Sequence, residues 1–204
     1  PPAAFVEPDL AALDALIERD AFVTLVTAPA GRPQATHLPV LYRREGARVE
    51  LRGHFARANP QACAAAHALA IVHGPHAYVS PSWYPDKDAR TRVPTWNYAV
   101  AHIEGPLGVY DDEDRLGELV AALSARHEAR VGGDWRYEHA REDQRVQLRG
   151  IVAFTLVAER VQPRFKLGQN HPPANRLAVA DRLDALGSGH GPELARLMRE
   201  RTPT

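Results

Sequence analysis

Between Phe22 and Gly53, three short apolar and β-branched runs follow one another across only a few residues of turn chemistry. Phe22 to Thr27 reads as a strand, Pro29-Ala30-Gly31-Arg32-Pro33 as a turn, and Ala35 to Tyr42 as a second strand. After Glu45-Gly46 comes a third, Arg48 to Gly53. Parallel neighbours need a crossover of about a dozen residues or more, and no such length separates these runs. The spacing therefore predicts an antiparallel meander.

Around that meander the periodicity changes. Asp9 is placed to cap a helix whose stripe is Leu10, Leu13, Leu16 and Ile17. Asn59 to Leu69 is Ala-rich, with Asn59 as cap and Pro60 at the first helical position, and reads as a second helix. Short strands are expected at Ile71–His73, Ala77–Ser80 and Asn97–Glu104, the first two separated by a Gly74-Pro75 turn. The polar stretch Pro85 to Arg92 reads as a mobile hairpin tip or lid. Asp111 to Asp114 opens a helix whose acidic start complements the helix dipole, with Leu116, Leu119, Val120 and Leu123 on one face. Ile151 to Ala158 is apolar on both faces, as in a central strand. Two short helices close the chain as an extension over about residues 172–201, joined by Gly187-Ser188-Gly189-His190-Gly191. No repeat or linker divides the sequence, so one α+β domain over residues 1–204 with a β-barrel-like centre is expected.

Lys plus Arg and Asp plus Glu each number 25, which leaves no basic excess for phosphate neutralisation and lowers the expectation of direct nucleic-acid binding. Cys63 is the only cysteine, so neither an internal disulfide nor a multi-cysteine zinc site is available; it reads as a small packed residue. No run reaches the ~18–20 apolar residues of a membrane span. Pro1-Pro2-Ala3-Ala4-Phe5 has neither a basic n-region nor an apolar h-region, so no signal peptide is expected and the location expected is cytoplasmic. Dinucleotide, P-loop, zincin and nucleophile-elbow motifs are absent, and the ten histidines include no tight metal pair.

The chemistry-bearing residues gather in five clusters. Thr36-His37-Leu38-Pro39 lies on a strand, with Thr36 and Leu38 on one face and His37 on the other. Gly53-His54-Phe55-Ala56-Arg57-Ala58-Asn59-Pro60 spans a strand end and an expected helix start. Unpaired N–H groups there, with Arg57 and His54, suit a phosphate dianion; simple capping of the helix accounts for them equally well. Gly74 to Tyr84 and Val93 to Tyr98 interleave aromatics with Ser, Thr and Asn, which suits a planar heterocycle or a dimer interface. Lys166-Leu167-Gly168-Gln169-Asn170 follows a strand and is either a binding turn or a surface one.

Taken in order, these five motifs resemble the PaiB family, described as FMN-binding negative transcriptional regulators, from about Phe5 to Leu186. The resemblance implies a split β-barrel of the pyridoxamine-phosphate-oxidase kind with peripheral helices. It also implies a homodimer with FMN at the subunit interface. In it, His54, Arg57 and Asn59 belong to the stretch that meets the phosphate, and Thr36, His37 and Leu38 run beside the isoalloxazine ring. Ser80, Trp83, Trp96 and Asn97 wall the pocket, and Lys166, Gln169 and Asn170 close it. Gly168 stands where the family usually has Ser, and His171 where Arg is commoner. The implied function is a flavin-bound regulator acting indirectly rather than by reading DNA. A flavin-dependent oxidoreductase and a haem-handling protein are the alternatives, and no catalytic residue is assigned.

Overall fold

Alternation of burial along the strands and a few non-local polar contacts account for most of the architecture. The computed structural model describes residues 5–63 and 66–202, so the opening residues 1–4 lie outside it, as does the side chain of Cys63. The helices are α1 (Ala11–Arg19), α2 (Glu113–Val131), the single turn α3 (Glu142–Arg145), α4 (Pro173–Leu186) and α5 (Gly191–Glu200). The strands are β1 (Phe22–Thr27), β2 (Gln34–Pro39), β3 (Leu41–Glu45), β4 (Arg48–Ala56), β5 (Ala66–Val79), β6 (Thr95–Tyr110), β7 (Ile151–Val157) and β8 (Arg160–Lys166). Among the described residues no helix is long and apolar enough to cross a membrane.

Two compact units share these elements. The larger takes Ile17–Val72 and His102–Val161; the smaller takes the chain up to Leu16, His73–Ala101 and the chain from Gln162. Strands β5 and β6 contribute to both.

In the larger unit the hydrogen-bonded order is β2-β1-β5-β6-β7-β4-β3. The expected antiparallel neighbours are present in part: β1 pairs with β2, Thr24 facing His37, and β3 with β4, but the run expected as one strand over Ala35–Tyr42 breaks at Val40 into β2 and β3, which lie at opposite ends of the order. Along β4, Val49, Leu51, Gly53 and Phe55 are buried while Glu50, Arg52 and His54 face the other way. Phe55 meets Phe154 of β7 with ring centroids 4.9 Å apart, both rings essentially inaccessible. Each such ring contributes roughly 2–3 kcal/mol by burial. On the opposite face α2 lays Leu116, Leu119 and Leu123 over Leu148 and Ala153. Asp112 caps that helix, its carboxylate accepting from Arg115 N at 3.0 Å.

In the smaller unit β8 pairs with β6, and α4 packs on α5 through Val179, Ala180, Leu183, Leu194, Ala195 and Met198. The Gly187–Gly191 segment is the expected helix–helix turn.

Two local expectations are overturned. Residues 60–63 form only a 3-10 turn, and Ala66 begins a strand that continues through Gly74 and Pro75 to Val79, without the expected turn. Alanine's helix propensity is worth less than a kcal/mol per residue, and pairing of Ala68 with Thr27 and Ala70 with Leu25 outweighs it. Gly74 has a packing role instead, since a Cβ there would sit 2.7 Å from both Ala99 O and Leu16 Cδ2.

Candidate functional site

The smaller unit contains a polar cleft of about 260 Å³. Strand β6 supplies one wall by its period of two: Thr95 and Asn97 point one way, and Trp96 and Tyr98 the other. Lys166, the last residue of β8, reaches across to hydrogen-bond Thr95 Oγ1. Gly168, Asn170 and His171 close the rim. Asn97 is 3% exposed, and its Nδ2 donates to the thioether of Met198 at 3.5 Å, a weak acceptor for a buried amide. Arg176, also buried, keeps an Nε with no partner among the described residues, and burial lowers its pKa.

Gly168 has φ +76°, a left-handed conformation that costs an L side chain about 1–2 kcal/mol. A Cβ there would meet Arg176, His171 and Asn97 at ordinary van der Waals distances of 3.7–3.9 Å, so the backbone, not the space, favours glycine over serine. Gln169 folds back on its own loop: Oε1 accepts from Leu167 N at 2.7 Å and Nε2 donates to Phe165 O. It shapes the Lys166–Asn170 turn rather than presenting its amide to the cleft.

The stretch read as a mobile lid is anchored. Asp86 receives two hydrogen bonds from the Arg92 guanidinium and one from Asn175 Nδ2 at 2.8 Å. Arg92 also donates to His171 Nδ1 at 3.0 Å, and His171 stacks on Tyr84 at 4.8 Å. The Arg92 guanidinium beside Asp86 holds its carboxyl down at about 2. Burial, then the Arg92 charge, lowers His171, while burial raises Tyr84. Sequence reading missed this cluster because its members lie up to 89 positions apart.

The other expected residues are placed as follows. In the larger unit, Asn59 Nδ2 donates to Thr36 Oγ1 at 2.8 Å, and the Thr36 hydroxyl donates to Gln61 Oε1. Gln61, 5% exposed, also donates to Thr27 Oγ1 at 3.0 Å and Gln34 O at 3.2 Å. It is a buried polar hub that no sequence signal marked. His37 is exposed with Nδ1 2.9 Å from Thr24 Oγ1, and Leu38 is in the core at 4% exposure. Arg57 spends its guanidinium on Arg149 O at 2.8 Å, Ile151 O at 3.0 Å and Asp111 at 3.0 Å. It straps the end of β4 to the start of β7 through carbonyls at the end of the 146–150 turn, and not by capping residues 60–63.

His54 points into a separate apolar cleft with Tyr137, Leu148 and Ile151. In the smaller unit Ser80 caps the 3-10 turn that carries half-buried Trp83, and Trp96 packs by His76 and Tyr78 on the face of β6 away from Asn97. The structure thus brings together Asn97, Lys166 and Asn170, and separately Thr36 and Asn59. Among the described residues no group of His, Cys, Asp and Glu is arranged to hold a metal.

An ammonium, a buried amide aimed at a weak acceptor, a rim amide and a nearby guanidinium fit a planar ligand with carbonyl edges or an anionic tail, as a flavin nucleotide has. The fold is the split barrel of flavin-binding proteins. It superposes on the FAD and heme binding protein of Mycobacterium smegmatis with a TM-score of 0.57 at 18% identity, covering 80% of this chain and 74% of that one. The flavocytochrome Anf3 of Azotobacter vinelandii follows at 0.53 and 15% identity, over 80% and 70% of the two chains.

Residues 1–160 match the family model described as "Putative FMN-binding domain". "Protease synthase and sporulation protein PAI 2" of Bacillus subtilis (strain 168) is 31% identical over 190 residues, 91% of this chain and 89% of the relative. An uncharacterized protein of Aspergillus fumigatus is 31% identical over 188 residues, 74% of this chain and 72% of its own. The chain belongs to the PaiB family of FMN-binding split-barrel proteins.

Proposed function

We propose that this protein is a flavin-bound regulator of the PaiB type, working as a homodimer through its FMN rather than by reading DNA. The observation that carries the reading is the cleft at Asn97, Lys166 and Asn170, rich in donors and set in a chain of an FMN-binding family. Lys166 and Asn97 would hold the cofactor's polar groups, and Asn170 would close over them. When bound, FMN supplies hydride or single-electron chemistry. This chain's residues supply orientation: Asn97 exchanges a weak thioether acceptor for a stronger one, and Lys166 neutralises charge. Trp83 and Trp96 offer flat surface to a ring or to a second subunit.

For the phosphate, Arg57 remains the best-placed residue of the 54–59 stretch. Its pair with Asp111 is half-exposed, and exposed pairs are worth about 0–1 kcal/mol, so a phosphate dianion displaces Asp111 at small cost. Zero net charge supports indirect regulation.

The experiment is FMN titration followed by desalting and a visible spectrum, on the native protein and on Lys166→Ala and Asn97→Ala. A retained flavin band, with each variant weakening affinity about ten- to a hundredfold, supports the reading. A colourless protein that rejects FMN overturns it. A salt-dependent gel shift on a defined operator would overturn the indirect part alone.

A further inference from the structure

The charges around the Lys166 cleft do not balance. Lys166, Arg92 and His171 line it, and no Asp or Glu does. Arg92 is matched, because Asp86 takes two hydrogen bonds from its guanidinium. Lys166 is not: its Nζ donates to the neutral hydroxyl of Thr95, and among the described residues no carboxylate pairs with it. A second unmatched cation lies behind the Gly168 turn. Arg176, 5% exposed, donates to Arg201 O at 2.6 Å and meets no carboxylate among the described residues. Its Cγ is 3.7 Å from where a Cβ on Gly168 would sit. Arg176 is too deep to touch a ligand, but its charge adds to the positive potential of the cleft, since a protein interior screens less than water.

His171 adds a donor whose hydrogen is placed by its partner. A guanidinium can only donate, so His171 Nδ1 accepts from Arg92 at 3.0 Å and the neutral ring carries its hydrogen on Nε2. Stacking on Tyr84 at 4.8 Å fixes the plane of the ring. Cδ2, the neighbour of Nε2, is 3.8 Å from the same Cβ position on Gly168, which turns that edge toward the rim. Nε2 has no hydrogen-bond partner among the described residues and, unlike His54 Nδ1, is open to solvent. Burial and the Arg92 charge lower the His171 pKa, and the Lys166 ammonium adds to them, so the two donors lie near each other. The rim amide of Asn170 is a third donor.

We propose that the Lys166–His171 end of the cleft is a site for a small free oxyanion, a carboxylate or a phosphate, which regulates flavin occupancy by competing for the same donors. The cleft measures about 260 Å³. A cavity of about 150 Å³ already accepts benzene, so a small organic acid fits. The competition rests on the flavin reading; the oxyanion site rests on the uncompensated charges alone.

The test is isothermal titration of the flavin-free, full-length protein with sodium sulfate and with sodium acetate, the ionic strength held constant with sodium chloride. Saturable binding of at least one probe at millimolar concentration is expected, and the stronger of the two identifies the oxyanion as tetrahedral or carboxylate. Lys166→Met should weaken it about tenfold, and Asn170→Asp, a new negative charge at an exposed rim position, about three- to tenfold. The apparent Kd of FMN should rise with probe concentration, and that of riboflavin, which has no phosphate, should rise to the same extent. No saturation with either probe, or binding unchanged in both variants, overturns the proposal. Displacement of FMN without displacement of riboflavin also overturns it, because the probe would then be standing in for the cofactor's own phosphate. If FMN binds undisturbed by either probe, the proposal falls and the flavin reading stands. If a probe binds and neither flavin does, the flavin reading falls and the oxyanion site stands.

Discussion

Arg92 donates to His171 Nδ1 at 3.0 Å while the same guanidinium grips Asp86. A histidine that accepts from a guanidinium must keep that nitrogen unprotonated, since protonation would set two cations in contact.

This arrangement gives a signed pH dependence. His171 and His54 both have lowered pKa values in the folded state, so the unfolded chain binds their protons first. Their contribution is therefore complete above the ordinary histidine pKa of about 6.5 and is lost as pH falls below it. Asp86, held at about 2, adds a second loss as pH falls from the ordinary carboxylate range of about 4 toward 2. Melting temperature measured against pH should be flat above neutrality and fall in these two windows. His171→Gln should remove part of the first fall and leave the second; an unchanged profile in that variant would exclude His171 as its source.

Gly168→Ala should lower stability by about 1–2 kcal/mol, because φ +76° strains any L side chain although the site has room for the methyl. Urea unfolding reads this directly. A neutral result would mean the turn relaxes to negative φ at no cost.

Gln61→Leu should cost about 2–3 kcal/mol. It leaves Thr27 and Thr36 without the amide that joins them, in a site already closed to water. Chemical denaturation of the variant measures it. Gln61→Glu should be worse at neutral pH, since a carboxylate there loses the donor to Gln34 O and gains a buried charge.

Arg57→Ala should destabilise the protein by about 1–2 kcal/mol through the lost bonds to Arg149 O and Ile151 O. Asp111→Asn, which leaves those bonds in place, should change stability by less than about 1 kcal/mol. If the FMN phosphate takes the place of Asp111, the same variant should tighten FMN binding; weaker binding would place the phosphate elsewhere.

Much of the secondary structure was legible because its signals are local. Asp9 accepts from Ala11 N at 2.9 Å at the start of α1, and Asp112 caps α2 where the acidic run predicted. The β1–β2 and β3–β4 pairs follow from turn spacing, and the Thr36/His37 alternation from the period of two. The motif order was enough to recognise the family, because it records which side chains occur and in what sequence.

What local signals lacked is pairing between distant positions. Ala68 and Leu69 belong to a stretch whose alanines favour a helix; β1 recruits them as strand through backbone pairing that no propensity encodes. Gln61 looks ordinary until folding closes Thr27, Gln34 and Thr36 around its amide. Asp86 and Arg92 read as a polar tip until Asn175 and His171 arrive from the far end of the chain. His54 reads as a phosphate ligand by its neighbours in sequence, whereas in the fold burial lowers its pKa and it shares a cleft with Leu148, Tyr137 and Val120. Residue identity sets what a side chain can donate, accept or bury. Its partners, and with them its charge and its use, are set by long-range packing.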